Sequence, residues 1–207
     1  MFGHILILFR KDSCMLRDLV IKNRSYRGYD ETRKMTREEL LEFVDLTRYT
    51  ASSVNLQPLK YYISCNKAEV DKIQKLTYWA AALPQIKLPY PGTMPTGFII
   101  ICQDTSINNS STMFLRDIGV VAQTMLLAAT EKGLGGCMIG NFNKNELKAL
   151  LGFSENIEPN LIVAFGKPAE KIILTDVGAD GNTRYYRDES GTIHYVPKRS
   201  LNDILLG

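Results

Sequence analysis

The stretch Ala128-Ala129-Thr130-Glu131-Lys132-Gly133-Leu134-Gly135-Gly136-Cys137-Met138-Ile139-Gly140 carries a helix into a strand through a glycine-rich turn. Upstream of it, Met113 to Lys132 is the longest helical pattern in the chain. Ile118, Val121, Met125, Ala128 and Ala129 fall on a wide apolar face, and Gly133 stands where the left-handed residue after a helix belongs. The glycines do not form a dinucleotide fingerprint. Met138 occupies the last glycine of a G-x-G-x-x-G, and that motif must follow a strand, whereas this segment follows a helix. Rossmann and P-loop readings both fail, and Gly135 to Gly140 reads as a short strand bracketed by glycines.

Outward from this point, Phe98-Ile99-Ile100-Ile101-Cys102 is a continuous β-branched run, the pattern of a strand buried on both faces and central in its sheet. Lys60 to Cys65 and Leu161 to Phe165 give further strands, the latter closed by Gly166-Lys167-Pro168. Thr36 followed by Glu39 is a capping box, opening a helix that carries Leu40, Leu41, Val44 and Leu46 to an end near Tyr49. Helical spacing also marks Leu16 to Asn23, Ala68 to Leu76 and Lys144 to Leu151. Helices and strands do not alternate strictly, so the order predicts an α+β sheet with helices around it rather than a doubly wound fold. Pro84, Pro89, Pro91 and Pro95 make Leu83 to Gly97 an irregular surface excursion. After Glu170 the chain turns polar, with Gly178, Gly181 and Gly191, and ends in Val196-Pro197-Lys198-Arg199-Ser200-Leu201, an extended tail that needs another surface to lie on.

With 207 residues, 45% of them apolar and 23% charged, the chain is long enough for one domain with a true hydrophobic core. Residues 15–207 are expected to form that single domain, and residues 1–14 an N-terminal extension whose pattern points to no role. The charge of +3 is spread over 25 basic and 22 acidic residues without a dense basic block, so nucleic acid is not the expected partner. No run approaches the ~18 apolar residues of a spanning helix, and the short apolar run Ile5 to Phe9 lacks a basic flank and a cleavage site. No membrane partner and a cytoplasmic location are expected. Cys14, Cys65, Cys102 and Cys137 lie too far apart for a zinc spacing or a dense disulfide framework, so they read as reduced thiols.

The two histidines, His4 and His194, lie near no serine or cysteine in a nucleophile motif, and no paired-histidine or clustered-carboxylate pattern suggests a metal. Any hard chemistry therefore belongs to a cofactor. Three features favour a phosphorylated, amide-rich, planar ligand. Arg24 and Arg27 near a helix end, and Lys198-Arg199 at the far end of the chain, supply fixed positive charge, although such pairs are often solvated surface. Asn55 and Gln57, with Ser52 and Ser53 just before them, match the carbonyl and N–H groups of a heterocycle, or else serve ordinary turns and caps. Gly135, Gly136 and Gly140 allow backbone to approach a ligand edge, or simply let a strand pack on a helix.

Arg24-Ser25-Tyr26-Arg27 after an opening helix, then Ser52-Ser53-x-Asn55-x-Gln57-Pro58, then a long helix ending in Gly133 to Gly140, then Pro197-Lys198-Arg199, occur in one order across residues 16–203. Together they resemble the nitroreductase family. The resemblance implies an α+β fold with a central, mainly antiparallel sheet surrounded by helices, and an intertwined homodimer whose C-terminal extension embraces the partner and whose FMN lies at the interface. Carried over by position, Arg24, Ser25 and Arg27 resemble the first FMN-binding segment, and Ser52, Ser53, Asn55 and Gln57 the ligands of ribityl and isoalloxazine groups from the other subunit. Met138, Ile139, Gly140 and Asn141 would bring backbone near the reactive N5, and Lys198 with Arg199 would hold the phosphate. Asn23 stands where many relatives carry another arginine, Leu59 where tryptophan often follows Gln-Pro, and Asn141 where glycine is frequent.

The implied cycle is ping-pong: NAD(P)H gives hydride to the flavin and leaves, and a small acceptor such as a nitroaromatic, a quinone or a flavin takes its place. No side chain then acts covalently. Arg27 near N1 and O2 would stabilise the reduced anionic flavin, unless it pairs with Asp30 or Glu31 and only staples its turn. Rival readings are a same-fold enzyme that fragments its flavin with oxygen or dehalogenates an aromatic, a flavin-binding protein without turnover, and an interaction module with basic ends.

Overall fold

The computed structural model describes residues 16–207, so the N-terminal extension read over residues 1–14 lies outside the described residues. Five helices are α1 Leu16–Lys22, α2 Arg37–Leu46, α3 Lys67–Gln74, α4 Leu115–Glu131 and α5 Lys144–Leu151. Eight strands are β1 Tyr29–Asp30, β2 Leu59–Ser64, β3 Gly97–Asp104, β4 Gly135–Ile139, β5 Ile157–Pro168, β6 Lys171–Asp176, β7 Tyr186–Arg187 and β8 Ile193–Lys198. The larger sheet is antiparallel at every pairing: β2 on β3, β3 on β5, and the far edge of β5 shared by β4 and β1. This is the α+β architecture that the element order predicts.

Both faces of this sheet are covered, which is why β3 reads as an unbroken apolar run. Period-two alternation sends Ile99, Ile101, Val163 and Phe165 toward α2 and α4, with Phe43 against Phe165 at 5.3 Å between ring centroids. The opposite face carries Phe98, Ile100, Ile162 and Ala164 toward Val70 and Ile73 of α3 and Leu147 of α5. The capping box closes in both directions: the Glu39 N–H donates to Thr36 Oγ1 at 3.2 Å, and the Thr36 N–H to Glu39 Oε2 at 3.0 Å. Gly133 takes the left-handed φ of +70° expected after α4. That helix, apolar nearly all round in sequence, buries Ile118, Val121, Met125 and Ala129 but leaves Leu115 and Val120 exposed.

Two elements exceed the sequence reading. β5 runs for twelve residues, well before the apolar stretch at Leu161. Its first half contains Pro159 and Asn160, and the β3 register shifts there, pairing Ile101 with Leu161 but Cys102 with Pro159. A bulge at Asn160, next to the proline that lacks an N–H, keeps the strand paired where its sequence looks like a turn. The polar segment after Glu170 forms a second sheet in the order β6-β8-β7, with β6 parallel to β8. This sheet lies on its own protomer. The Glu170 carboxylate accepts hydrogen bonds from the Arg27 backbone N–H and from Arg187, and the Glu170 and Arg187 side chains are both nearly inaccessible. Past β8, residues 199–207 remain exposed, with Leu201, Ile204 and Leu205 open to solvent.

The turn from Ser52 to Gln57 is anchored on Asp117, one turn into α4. Asp117 accepts from Ser52 Oγ and Ser53 Oγ, each at 2.7 Å, and from the Ser53 N–H at 2.8 Å. Burial opposes its charge, yet the Ser53 and Ser52 hydrogen bonds outweigh burial and hold the carboxyl below the usual carboxylate range.

Two stability outcomes follow from this packing. A Cβ on Gly136 would lie 2.2 Å from the Ala164 carbonyl oxygen, whereas one on Gly140 would meet nothing within 4 Å. Gly136→Ala is therefore expected to lower unfolding free energy by about 3 kcal/mol or more, and Gly140→Ala by less than about 1, as read by urea denaturation. Asp117→Asn is expected to cost about 1–3 kcal/mol at neutral pH. A depressed folded-state pKa contributes stability that is present above the unfolded value and lost as pH falls through the folded one, so the gap to wild type narrows below about pH 4. Denaturation at pH 7 and pH 3 checks the sign.

Candidate functional site

A cavity of about 340 Å³ opens between the two sheets and α4. Backbone pairing builds one wall: Ser25 forms a parallel bridge with Gly136, and the Tyr26 N–H donates to the Gly136 carbonyl at 3.1 Å. That approach requires glycine, since a Cβ on Gly135 would lie 2.5 Å from the Tyr26 ring. Arg24, Ser25 and Arg27 are thus laid along the edge of β4, beside Met138. The second wall is β8, whose alternation puts His194, Val196 and Lys198 on the cavity side. Gln123 and Leu126 of α4 form the base.

The charged groups lining this cavity, Arg24, Arg27 and Lys198, are all basic. The Arg27 guanidinium lies over the Tyr185 ring at 4.9 Å and donates to the Ser25 carbonyl at 3.2 Å. The nearby carboxylates are engaged elsewhere: Asp30 accepts from the Thr32 hydroxyl at 2.6 Å and Glu31 from the Met94 N–H at 2.8 Å. Arg24 donates to the Val20 carbonyl at 2.6 Å, leaving its Nε without a partner among the described residues. His194, 1% exposed, tilts against Tyr185 at 5.1 Å between ring centroids. Burial first, then the nearby Arg27 and Arg187, push its pKa down to about 4, so the imidazole is neutral. Fixed cations with unpartnered buried polar atoms suit an anionic ligand that also carries hydrogen-bonding groups.

The Ser52 to Gln57 turn borders a different cavity, of about 140 Å³, where Ser52 and Gln57 meet Tyr61, Asp117 and Arg48. Val54, Asn55 and Gln57 hold positive φ of 46°, 55° and 51° without being glycine. A β-branched residue there is strained, and such strain persists where surrounding contacts enforce it, typically at binding sites. Asp117 supplies those contacts through Ser52 and Ser53, while Gln57 Nε2 donates to Asn55 Oδ1 at 3.1 Å.

The structure thus gathers Arg24, Ser25, Arg27, Met138 and Lys198 around one cavity, while Ser52 and Gln57, on the turn that also holds Ser53 and Asn55, line the other. Ile139 points into the core, Gly140 and Asn141 are exposed just past β4, and Arg199 is exposed past β8. Sequence reasoning passed over Asp117, Glu170, Tyr185, Arg187 and His194. Two of these carried a signal: a lone carboxylate on the apolar face of α4, and a histidine at even spacing from Val196 and Lys198.

The family model described as "Nitroreductase family" matches residues 20–167, from α1 through β5. A protein of Methanothermobacter thermautotrophicus named "Putative NADH dehydrogenase/NAD(P)H nitroreductase" is 24% identical over 151 residues, 71% of this chain and 74% of the relative. The solved nitroreductase family protein of Streptococcus pneumoniae superposes with a TM-score of 0.65 at 17% identity, covering 92% of this chain and 98% of that one. Nitroreductase A of Vibrio parahaemolyticus superposes at 0.61 and 22% identity, covering 83% and 77% respectively. With the antiparallel sheet, the glycine-edged β4 and the Arg24 to Arg27 segment in place, the chain belongs to the nitroreductase family of oxidoreductases.

Proposed function

We propose that this oxidoreductase is a cytoplasmic homodimer that holds FMN and passes hydride from NAD(P)H to a small organic acceptor such as a nitroaromatic, a quinone or a flavin, in ping-pong order. The observation that carries this reading is the convergence of Arg24, Ser25 and Arg27 from one end of the chain with Lys198 from the other around a single basic cavity. FMN suits the residues present: the cavity offers cations for a phosphate, and Arg24 Nε and both His194 ring nitrogens are buried without partners among the described residues. When bound, FMN supplies the hydride chemistry.

The chain's own residues bind, orient and tune. Arg24, Ser25 and Lys198 hold the anionic end, with Arg199 just beyond β8. Met138 flanks the cavity, and the backbone of Ile139, Gly140 and Asn141 continues from it. Arg27, held by Glu170 behind and Tyr185 beneath, places a fixed charge beside the ligand and favours negative charge added to it. Ser52, Ser53, Asn55 and Gln57 complete the site from the second subunit, which accounts for a strained, pre-shaped turn set apart from the basic cavity of its own chain. The exposed Leu115 and Val120 of α4, and Leu201, Ile204 and Leu205 past β8, are the apolar surface that such a partner covers.

The purified protein is expected to be yellow and to bleach with NADH or NADPH under anaerobic conditions; a colourless protein that takes up no FMN rejects the proposal. With saturating FMN, Arg27→Ala is expected to slow anaerobic reduction by a factor on the order of 10² and to lower the flavin potential. Unchanged values would reduce Arg27 to a structural role. Removing residues 200–207 spares β8 and Lys198, so its expected effect is conversion of dimer to monomer, checked by sedimentation; a truncated chain that stays dimeric would assign the interface elsewhere.

A further inference from the structure

His194 is the most deeply buried polar group on the cavity wall, at 1% exposure, and among the described residues neither of its ring nitrogens has a hydrogen-bond partner. Burying a polar ring without a partner costs stability, and native structures satisfy nearly all such groups. The Tyr185 ring tilts against His194, and Arg27 and Arg187 contribute positive charge nearby. The alternation of β8 faces it into the same cavity as Lys198, four residues on.

Resting on the FMN reading above, we infer that His194 is a cofactor contact, donating a hydrogen bond from a ring N–H to an oxygen of the bound FMN. The polarity of the site selects the direction of this bond. With Arg24, Arg27 and Lys198 around the cavity, the part of the ligand seated there is its electron-rich oxygens, which accept. Burial, with the positive charge of Arg27 and Arg187 nearby, keeps the imidazole neutral, so it adds a directional N–H donor without adding charge. It lies in β8, beyond the segment 20–167 that the family model matches.

The inference makes two changes of opposite sign. His194→Phe keeps ring size and contact with Tyr185 but removes the donor, so FMN affinity is expected to fall roughly tenfold or more. In FMN-free protein the same substitution removes an unsatisfied group, so the melting temperature is expected to hold or rise. His194→Gln restores an N–H and is expected to recover most of the affinity. Riboflavin serves as the second ligand: a loss confined to FMN places the acceptor on the phosphate, and an equal loss for both places it on the ribityl or ring oxygens. With only two histidines in the chain, a His4→Gln background leaves one imidazole, and its ¹⁵N resonances are expected to move on adding FMN to wild-type His194. FMN bound with unmoved resonances, or with unchanged affinity in His194→Phe, overturns the inference while leaving the FMN reading intact. Failure of the wild-type protein to bind FMN overturns both.

Discussion

The buried carboxylate of Glu170 joins the parts of this protein that matter for its site. It sits where β5 ends and the second sheet begins, and it receives both the backbone N–H of Arg27 and the side chain of Arg187. A lone buried carboxylate would be costly, and the two donors make its burial tolerable. The geometric consequence is larger than the energetic one. Arg187 lies on β7, β7 pairs with β8, and β8 carries His194 and Lys198, so one carboxylate sets the C-terminal sheet against the Arg24 to Arg27 segment. The cavity exists because these two pieces, distant in sequence, are pinned to the two oxygens of one carboxylate, the Arg27 N–H on Oε1 and Arg187 on Oε2.

Glycine contacts complete the arrangement from the other side. Gly136 approaches the Ala164 carbonyl and Gly135 the Tyr26 ring so closely that no side chain fits at either place, and Gly166 stands likewise against Tyr29. These contacts bring β4 tight against β5 and let the Ser25 segment lie along its free edge. The backbone that flanks the cavity is therefore rigid by packing, which suits the proposed task of holding a planar group and tuning its charge.

The Ser52 to Gln57 turn shows a different economy of structure. Three residues adopt left-handed backbone that only glycine takes freely, and the Asp117 carboxylate holds the turn through two serines. That is a preorganised polar surface bordering a cavity other than the basic one of its own chain. The homodimer reading gives it a task, since a second protomer can bring this turn to a cavity that lacks it.

Much of this protein was legible in its sequence. The unbroken apolar run of β3, the capping box at Thr36, the left-handed Gly133 and the failed dinucleotide motif together pointed to an α+β sheet, because each is a local rule of spacing or backbone conformation, while its antiparallel pairing was implied only by the family resemblance. The order of the Arg24, Ser52, Gly133 and Lys198 motifs determined the family. What only the tertiary structure decided are the features set by contacts across long sequence distances. The first half of β5 is a strand because β3 pairs with it despite Pro159. The polar segment after Glu170 becomes a sheet because a buried ion pair draws it home. Asp117 becomes an anchor only when α4 passes beneath the Ser52 turn, and His194 becomes a cavity-lining group only when β8 turns it inward. Such partners leave no periodic trace in the chain, since what makes them matter is a neighbour that folding alone supplies.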